Sequence, residues 1–289
     1  MNRSQSLAAV AASYVVATAA AAAAYLAWPE GSLVQRVVLA DVVGTVVIFL
    51  ASVRFNNSSL YDAYWSVAPM LIAPWLMFVG WGEAEPVRQL LAVGVVTWWG
   101  WRLTYNWARG WTGMQHEDWR YVDIRAKTGP LYWLVSFLGI HLFPTLLVLA
   151  GCAGLVPALT TAGRPLGLLD ALALLVASTG VLFELFADRQ LHAFRARKPA
   201  PDEILSDGLW AWSRHPNYFG EITFWFGVAL FGLAADPGAW WVAVGPAAMV
   251  LLFTFVSLPL IETRMLRKRP HFAEHKNKVP ILIPWPPRR

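Results

Sequence analysis

The fold is decided by stretches such as Ala239–Ile261, AWWVAVGPAAMVLLFTFVSLPLI, which carries no charged residue from end to end. A helix needs about 20 apolar residues to cross the hydrocarbon core of a bilayer. Three further stretches are equally poor in charge: Leu7–Pro29, Tyr64–Gly82 and Leu131–Ala162. The composition agrees, since 57% of the residues are hydrophobic and only 14% are charged, whereas a soluble domain is nearer a quarter charged. The sequence therefore predicts an all-α, polytopic transmembrane helical bundle.

Eight apolar segments are long enough to be spans. They are residues 7–28, 33–53, 63–81, 87–107, 131–156, 166–187, 218–234 and 239–261. The connections between them are short and leave no room for a soluble domain. We therefore expect a single integral-membrane domain over residues 1–289, in which 1–55 form N-terminal helices and 56–289 form the core.

The distribution of basic residues predicts the orientation of the bundle. With eight spans both termini lie on one side, and 19 of the 23 Lys and Arg then fall on that side. Because cytoplasmic loops carry the excess of Lys and Arg, both termini are predicted to be cytosolic. The same excess explains the high isoelectric point without a nucleic-acid partner. Cys152 is the only cysteine and lies in an apolar stretch, where it is expected to be a small buried hydrophobe.

Three cytosolic segments are rich in Arg, His and aromatic residues: 108–130, 188–217 and 262–289. On one face of the bundle, three such segments can close over a ligand that enters from the cytosol. The densest polar stretch runs from Ser213 to Glu221, SRHPNYFGE, and is called the signature segment below. Charge next to a bilayer-spanning helix is costly and usually marks function.

Within the signature segment, Asn217 is predicted to be the N-cap of the helix that follows. The N-terminus of that helix offers free N–H groups and a positive dipole, which suit a phosphate or a carboxamide oxygen. Gly220 permits close approach of either a ligand or a neighbouring helix. A purely structural cap needs only the asparagine, so the added Arg214, His215 and Glu221 favour a binding role.

The helix that leads into residues 188–217 carries polar residues at helical spacing. Glu184, Asp188, His192 and Arg195 share one face. One interpretation is a ladder of intrahelical ion pairs from Asp188 to Arg189 and Arg195; the other is the polar wall of a cofactor pocket.

In the tail, Pro259 is expected to kink the last span. His271 and His275 have a spacing that can bind zinc, but without a third ligand we expect a solvated basic tail and no metal.

The signature segment resembles the carboxy-terminal signature shared by membrane-embedded steroid 5α-reductases, sterol reductases and isoprenylcysteine-type methyltransferases. Two features favour the reductases: Asp188-x6-Arg195 upstream of Gly208-Leu209, and Glu117-Asp118-Trp119-Arg120-Tyr121, which looks like the bacterial steroid 5α-reductase-like group. The resemblance spans roughly residues 56–289. It implies a seven-helix reductase core to which the first apolar segment is an addition.

The resemblance also implies a site in which NADPH lies in a cavity open to the cytosol and a steroid enters from the membrane. The implied cofactor-binding residues are Glu184, Asp188, Arg195, Trp212, Arg214, His215, Asn217, Tyr218, Glu221, Glu262 and Arg264. The implied catalytic residues are Asp62, Tyr64 and Trp99. Asp62 matches the carbonyl-facing acid by its spacing to Pro69. The tyrosine that partners this acid falls at Trp99, which has no phenolic proton, so Tyr61, Tyr64 or Tyr105 are the substitutes.

The leading hypothesis is therefore an NADPH-dependent reduction of the Δ4 C=C bond of a 3-oxo-Δ4 steroid or similar enone lipid, by hydride transfer to the β-carbon. NADPH is favoured over NADH because Arg109, Arg120, Arg195 and Arg197 can meet a 2′-phosphate. One alternative is an S-adenosylmethionine-dependent lipid or isoprenylcysteine-type methyltransferase, and another is a sterol-binding or transport protein without enzyme activity. We expect a multi-pass monomer in a bacterial inner membrane, with the cofactor site facing the cytosol.

Overall fold

The computed structural model of the protein describes residues 1–287. In this range the chain is 78% helical and contains no strand, which confirms the predicted fold class. The α-helices are α1 Arg3–Ala27, α2 Leu33–Phe55, α3 Tyr64–Val79, α4 Pro86–Gly110, α5 Trp119–Thr128, α6 Tyr132–Val135, α7 Phe143–Gly151, α8 Leu155–Thr160, α9 Leu168–Ala196, α10 Pro216–Ala235, α11 Val244–Leu252, α12 Leu258–Lys268 and α13 Phe272–Lys278.

Within residues 1–287, seven helical stretches are long and apolar enough to cross a membrane. They are Arg3–Ala27, Leu33–Phe55, Ser58–Val79, Trp119–Thr160, Leu168–Ala196, Pro216–Ala235 and Trp240–Lys268. These stretches make the protein an integral membrane protein. The fourth predicted segment, 87–107, is helical as part of α4, but it is not among the seven. The cytosolic placement of both termini depends on an eighth crossing and stays a prediction.

The chain divides into two compact units. Unit 1 comprises Met1–Val79 and Val96–Cys152, and unit 2 comprises Gly80–Val95 and the chain from Ala153 onward. In unit 1, α1 packs along α2, and the Tyr14 hydroxyl donates a hydrogen bond to the Leu60 carbonyl oxygen. The core of unit 2 is the pair α9 and α10.

Two membrane-spanning stretches contain a π-helical turn just before a proline. Residues Ser136–Leu142 precede Pro144, and Phe253–Ser257 precede Pro259. Proline lacks the N–H that would close an α-turn, and its ring clashes with the carbonyl group four residues earlier. A widened turn relieves both problems. A π-helical turn thus precedes Pro259, and the kink expected there stays a prediction.

A buried ion pair joins two elements of unit 2. The Arg88 guanidinium, at the start of α4, contacts the Asp170 carboxylate, at the start of α9, through Nε–Oδ1 at 2.6 Å and Nη2–Oδ2 at 3.0 Å. Asp170 also accepts a hydrogen bond from the Gly167 N–H, which caps α9. Arg88 therefore anchors helices rather than facing water.

Candidate functional site

The signature segment turns from an extended approach into helix α10. The helix begins at Pro216, and His215 is its N-cap residue, without a side-chain capping bond. The prediction that Asn217 is the N-cap is therefore wrong. Proline suits the first helical position because it needs no N–H partner there and its φ is already helical. Asn217 lies one position further on, and its side chain makes no hydrogen bond within residues 1–287.

The charged residues of the signature segment converge on one carboxylate. The Glu262 carboxylate, on α12, forms ion pairs with Arg214 (Nε–Oε1, 2.8 Å) and Lys276 (Nζ–Oε2, 2.9 Å). His215 Nε2 lies 3.5 Å from Oε1 of Glu262. Arg214 also donates from Nη1 to the Lys276 carbonyl oxygen, at 2.7 Å. We call these four residues the Glu262 cluster.

The Glu262 cluster is well shielded from water. The side chains of Arg214, His215 and Glu262 are each less than a tenth exposed. Burial lowers the pKa of the Arg214 guanidinium, although the neighbouring Glu262 carboxylate opposes that effect. His275 lies beside the cluster, and burial and the positive charge of Arg214 lower its pKa. The tail is therefore not simply solvated, as the sequence suggested, because α13 supplies one member of a buried cluster.

The chain beyond α13 returns to the signature segment as a stretch without helix, Pro280–Pro287, which we call the C-terminal strap. The Arg214 N–H donates to the Pro280 carbonyl oxygen, and the Trp285 N–H donates to the Trp212 carbonyl oxygen, both at 2.9 Å. Between them, the Ser213 hydroxyl donates to the Leu282 carbonyl oxygen at 2.7 Å. The strap thus fixes the backbone of the signature segment.

Three further residues of the signature segment make packing contacts. A side chain at Gly220 would collide with the Gly180 carbonyl oxygen and with Glu184, so this glycine faces helix α9. Of the two partners considered for Gly220, the structure selects the neighbouring helix. The Glu221 carboxylate is buried and accepts a hydrogen bond from the Trp225 indole N–H at 2.8 Å. Tyr218 stacks between His215 and Phe253.

The face of α9 that carries Glu184, Asp188 and Arg195 contains no ladder of ion pairs. Glu184 is buried, while Arg195 is exposed and forms no ion pair within residues 1–287. Arg189 likewise has no carboxylate partner in that range, so the intrahelical pairs with Asp188 do not form. Arg264, near the end of α12, is half-buried.

An open groove of about 420 Å³ lies beside the end of α9. It is lined by Phe183, Phe186, Gln190, Gly208, Leu209, Trp212 and Pro284. Gly208 has a φ of +59°, and the following Leu209 N–H bonds the Gln190 side chain at 3.0 Å, which fixes the turn against the helix. The groove offers aromatic walls, and Arg195 is not among the residues that line it.

In unit 1, Asp62 lies between the short 3₁₀ helix Ser58–Tyr61 and α3. Its carboxylate accepts a hydrogen bond of 2.5 Å from the Tyr121 hydroxyl. The Glu117–Tyr121 block is held over this turn, because Ser58 N–H donates to Glu117 and Asp118 N–H donates to the Ser59 hydroxyl. The phenol that meets Asp62 is therefore Tyr121, and not one of the three tyrosines considered from the sequence.

The other predicted catalytic residues lie elsewhere in unit 1. The Tyr64 hydroxyl lies near Asp41, a buried carboxylate on α2. Trp99 is fully buried and packs edge-on against Trp65 at 5.7 Å between ring centroids. Tyr105 is more than half exposed, and Tyr61 bonds Thr145.

Sequence reasoning missed Asp41, Lys276 and the role of Tyr121. Asp41 had a signal, since it is an acidic residue within an apolar span and such residues usually have a specific partner. Lys276 had none, because a lysine in a basic tail looks like its neighbours. No group of three or more His, Cys, Asp or Glu residues that would suit a metal ion occurs within residues 1–287.

Comparison with known proteins gives a family without an assigned activity. The chain is 28% identical over 261 residues to uncharacterized protein C594.04c of Schizosaccharomyces pombe, a match that covers 82% of this chain and 76% of that protein. No solved structure matches the chain. The sequence profile of a family described as "Protein of unknown function (DUF1295)" matches residues 48–279, which include α3–α13, the Glu262 cluster and the Asp62–Tyr121 contact. The chain therefore belongs to the DUF1295 family.

Proposed function

We propose that the protein is an NADPH-dependent reductase of an activated C=C bond, with a 3-oxo-Δ4 steroid or a similar enone lipid as substrate. The signature segment resembles that of the membrane steroid reductases, and the DUF1295 family is associated with steroid 5α-reductase-like proteins. An integral membrane protein also has direct access to a lipid substrate.

The observation that carries the proposal is the aromatic groove at the end of α9. The rings of Phe183, Phe186 and Trp212 suit a nicotinamide or adenine ring, and a groove of about 420 Å³ is large enough for such a ring system. Arg195 lies five residues beyond Gln190 on α9, about 7.5 Å along the helix axis and about 140° around it, so it is on a different face of the helix from the groove. As an exposed arginine without an ion pair in residues 1–287, it is suited to a phosphate.

The residues present therefore fit the cofactor. The predicted cofactor-binding residues fall into two groups, those that can contact the cofactor directly and those that position the contacting residues. Arg195, Asn217 and Trp212 have side chains open to a ligand, and we assign them to direct contact. Arg214, His215 and Glu262 are engaged with one another and with Lys276. We assign them to positioning, because they hold the backbone from which Asn217 and Trp212 project.

When bound, NADPH supplies the hydride. The protein must polarise the substrate carbonyl group, so that the β-carbon accepts that hydride, and must provide a proton. In this proposal the proton is held at the Tyr121 hydroxyl, and Asp62 orients that hydroxyl through the bond it accepts. Asp41 and Tyr64 form a second acid–phenol pair in unit 1, which we keep as the alternative donor.

The methyltransferase alternative is supported by one observation: the signature segment, the Glu262 cluster and the groove all lie in unit 2. A methyltransferase with this signature needs only the carboxy-terminal half of the chain. Under that alternative, Asp62 and Tyr121 have no chemical role.

Cofactor binding by the purified, detergent-solubilised protein tests the proposal. NADPH is expected to raise the thermal stability of the protein, whereas NADH and S-adenosylmethionine are not. Arg195→Ala and Asn217→Ala should each lose about 1.5–3 kcal/mol of NADPH affinity, because each removes a contact to a charged or polar group. Arg164→Ala, an exposed arginine far along the chain from the groove, is the matched control and should bind as the wild type does. Wild-type affinity in both variants would refute the assignment of Arg195 and Asn217 to cofactor contact, and stabilisation by S-adenosylmethionine alone would favour the methyltransferase.

A further inference from the structure

The C-terminal strap has one unusually apolar face. In the strap, Leu282 and Pro284 are half-buried, while Ile281, Ile283 and Trp285 point outward. Ile283 is 67% exposed and Trp285 is 69% exposed. Trp212, which is bonded to Trp285 through the backbone, adds a fourth large exposed side chain.

The position of the strap explains why such a face is tolerated. The last candidate span ends at Lys268, so the tail leaves the bilayer just before α13. The strap is hydrogen-bonded to Trp212–Arg214, and the candidate span Pro216–Ala235 begins two residues after Arg214. Both attachments hold the strap within a few residues of the bilayer boundary. Tryptophan is favoured at that level, because its ring is apolar and its N–H is polar.

The charge around the strap indicates which lipids it meets. From Glu262 to the end of the chain, eight Lys and Arg stand against two Glu. Lys276 is held in the Glu262 cluster, but Arg267, Lys268 and Lys278 are exposed and form no ion pair within residues 1–287. Basic residues next to an interfacial apolar segment attract anionic headgroups.

We propose that the outward face of the C-terminal strap, Ile281, Ile283 and Trp285, is inserted into the headgroup region of the bilayer, with anionic phospholipid as its partner. This surface does not depend on the proposed reaction. It bears on the site, because the backbone that the strap carries into the interface is bonded to Arg214 and Ser213. Lipid contact with the strap thus stabilises the signature segment from outside.

Site-specific fluorescence in vesicles tests this proposal directly. Cys152 is buried, so an environment-sensitive label on Ile283→Cys reports one position, and unlabelled wild type checks that Cys152 does not react. The protein is placed in phosphatidylcholine vesicles with or without phosphatidylglycerol. Lipids with a quencher near the headgroup should quench the label at position 283 more strongly than lipids with a quencher at the chain end. Asp202→Cys, at an exposed site in the loop between α9 and the signature segment, is the control and should remain accessible to a water-soluble quencher.

The charge component has its own variant. In the wild type, quenching at position 283 should be stronger when the vesicles contain phosphatidylglycerol. The triple variant Arg267→Gln/Lys268→Gln/Lys278→Gln should retain quenching in phosphatidylcholine but lose this preference for phosphatidylglycerol, by up to about fivefold per cation removed. High salt should weaken the same preference in the wild type. If the label at position 283 is accessible to the water-soluble quencher, the strap lies in water and the proposal is wrong. If neither the lipid quenchers nor the water-soluble quencher reaches the label, the proposal is also wrong, since a second protein chain would then cover the face. A phosphatidylglycerol preference that survives in the triple variant would remove anionic lipid as the partner.

Discussion

Replacing Glu262 by glutamine removes the charge on which Arg214, His215 and Lys276 converge. The side chains of Arg214 and Glu262 are each only 7% exposed, whereas Lys276 is 33% exposed and can regain water. Removing one partner of a buried pair costs about 3–5 kcal/mol, because the remaining charge stays buried without compensation. With one of the two cations free to rehydrate, we expect Glu262→Gln to lower the free energy of unfolding by about 3 kcal/mol, the low end of that range.

Glu203→Gln is the matched control for this change. The Arg197–Glu203 pair is shorter, at 2.6 Å against 2.8 Å, but its side chains are 53% and 38% exposed. Exposed pairs contribute about 0–1 kcal/mol. Distance alone would therefore rank Glu203→Gln as the more harmful change, whereas burial ranks Glu262→Gln first.

The free energy of unfolding can be measured by titrating the protein in detergent micelles with sodium dodecyl sulfate and following its helicity. The double variant Arg214→Gln/Glu262→Gln removes both members of the pair and should recover part of the loss, since no guanidinium is then left buried beside a neutral partner. Equal losses for Glu262→Gln and Glu203→Gln would refute the argument from burial. A double variant less stable than the sum of its singles would show that the cluster is not held by this pair.

Three other predictions concern chemistry, packing and pH. Asp62→Asn and Tyr121→Phe should each bind NADPH normally but slow its single-turnover oxidation by an enone steroid about a hundredfold or more, as expected for a positioned acid; an unchanged rate in both would move the role to the alternative pair in unit 1. Gly220→Ala should destabilise the protein by about 1–3 kcal/mol, since the new methyl group meets the backbone of a neighbouring helix. Gly94→Ala places its methyl group in open space and should be neutral or slightly stabilising. Equal effects of the two changes on thermal stability would contradict the close packing at Gly220. The pKa of His275 is lower in the folded protein than in the unfolded chain, so the unfolded chain binds more protons as the pH falls below about 6.5. Thermal stability should therefore decrease below that pH. His275→Gln should flatten this pH dependence, and a variant with the same pH profile as the wild type would exclude His275 as its source.

Local patterns in the sequence predicted the helices because a span is recorded in consecutive residues. The uncharged stretch at Ala239–Ile261 is enough to predict a membrane helix, and the structure confirms it as part of Trp240–Lys268. The prediction that Asn217 is the N-cap of α10 was wrong, because two neighbouring residues both suit the start of a helix. Pro216 takes the first helical position, where it needs no capping bond.

Partners that are distant in the sequence could be predicted only in part. Arg214 and Glu262 were both flagged as site residues, yet nothing in their neighbourhoods indicated that they bind each other. Tyr121 lies in a segment that the sequence analysis had marked, but its contact with Asp62 depends on how a loop folds back over a turn 59 residues earlier. Composition indicates which residues are polar in an apolar setting, whereas pairing requires the fold.

The order of synthesis gives the Glu262 cluster a further consequence. Glu262, the carboxylate that pairs with Arg214, follows it by 48 residues in the chain. At about 5–20 residues per second, roughly 2–10 s of translation separate the two. Through that interval a cation next to a nascent span has no carboxylate to neutralise it. A chain that stops short of the tail would keep that unneutralised cation permanently, which gives membrane quality control a chemical mark by which to recognise unfinished copies.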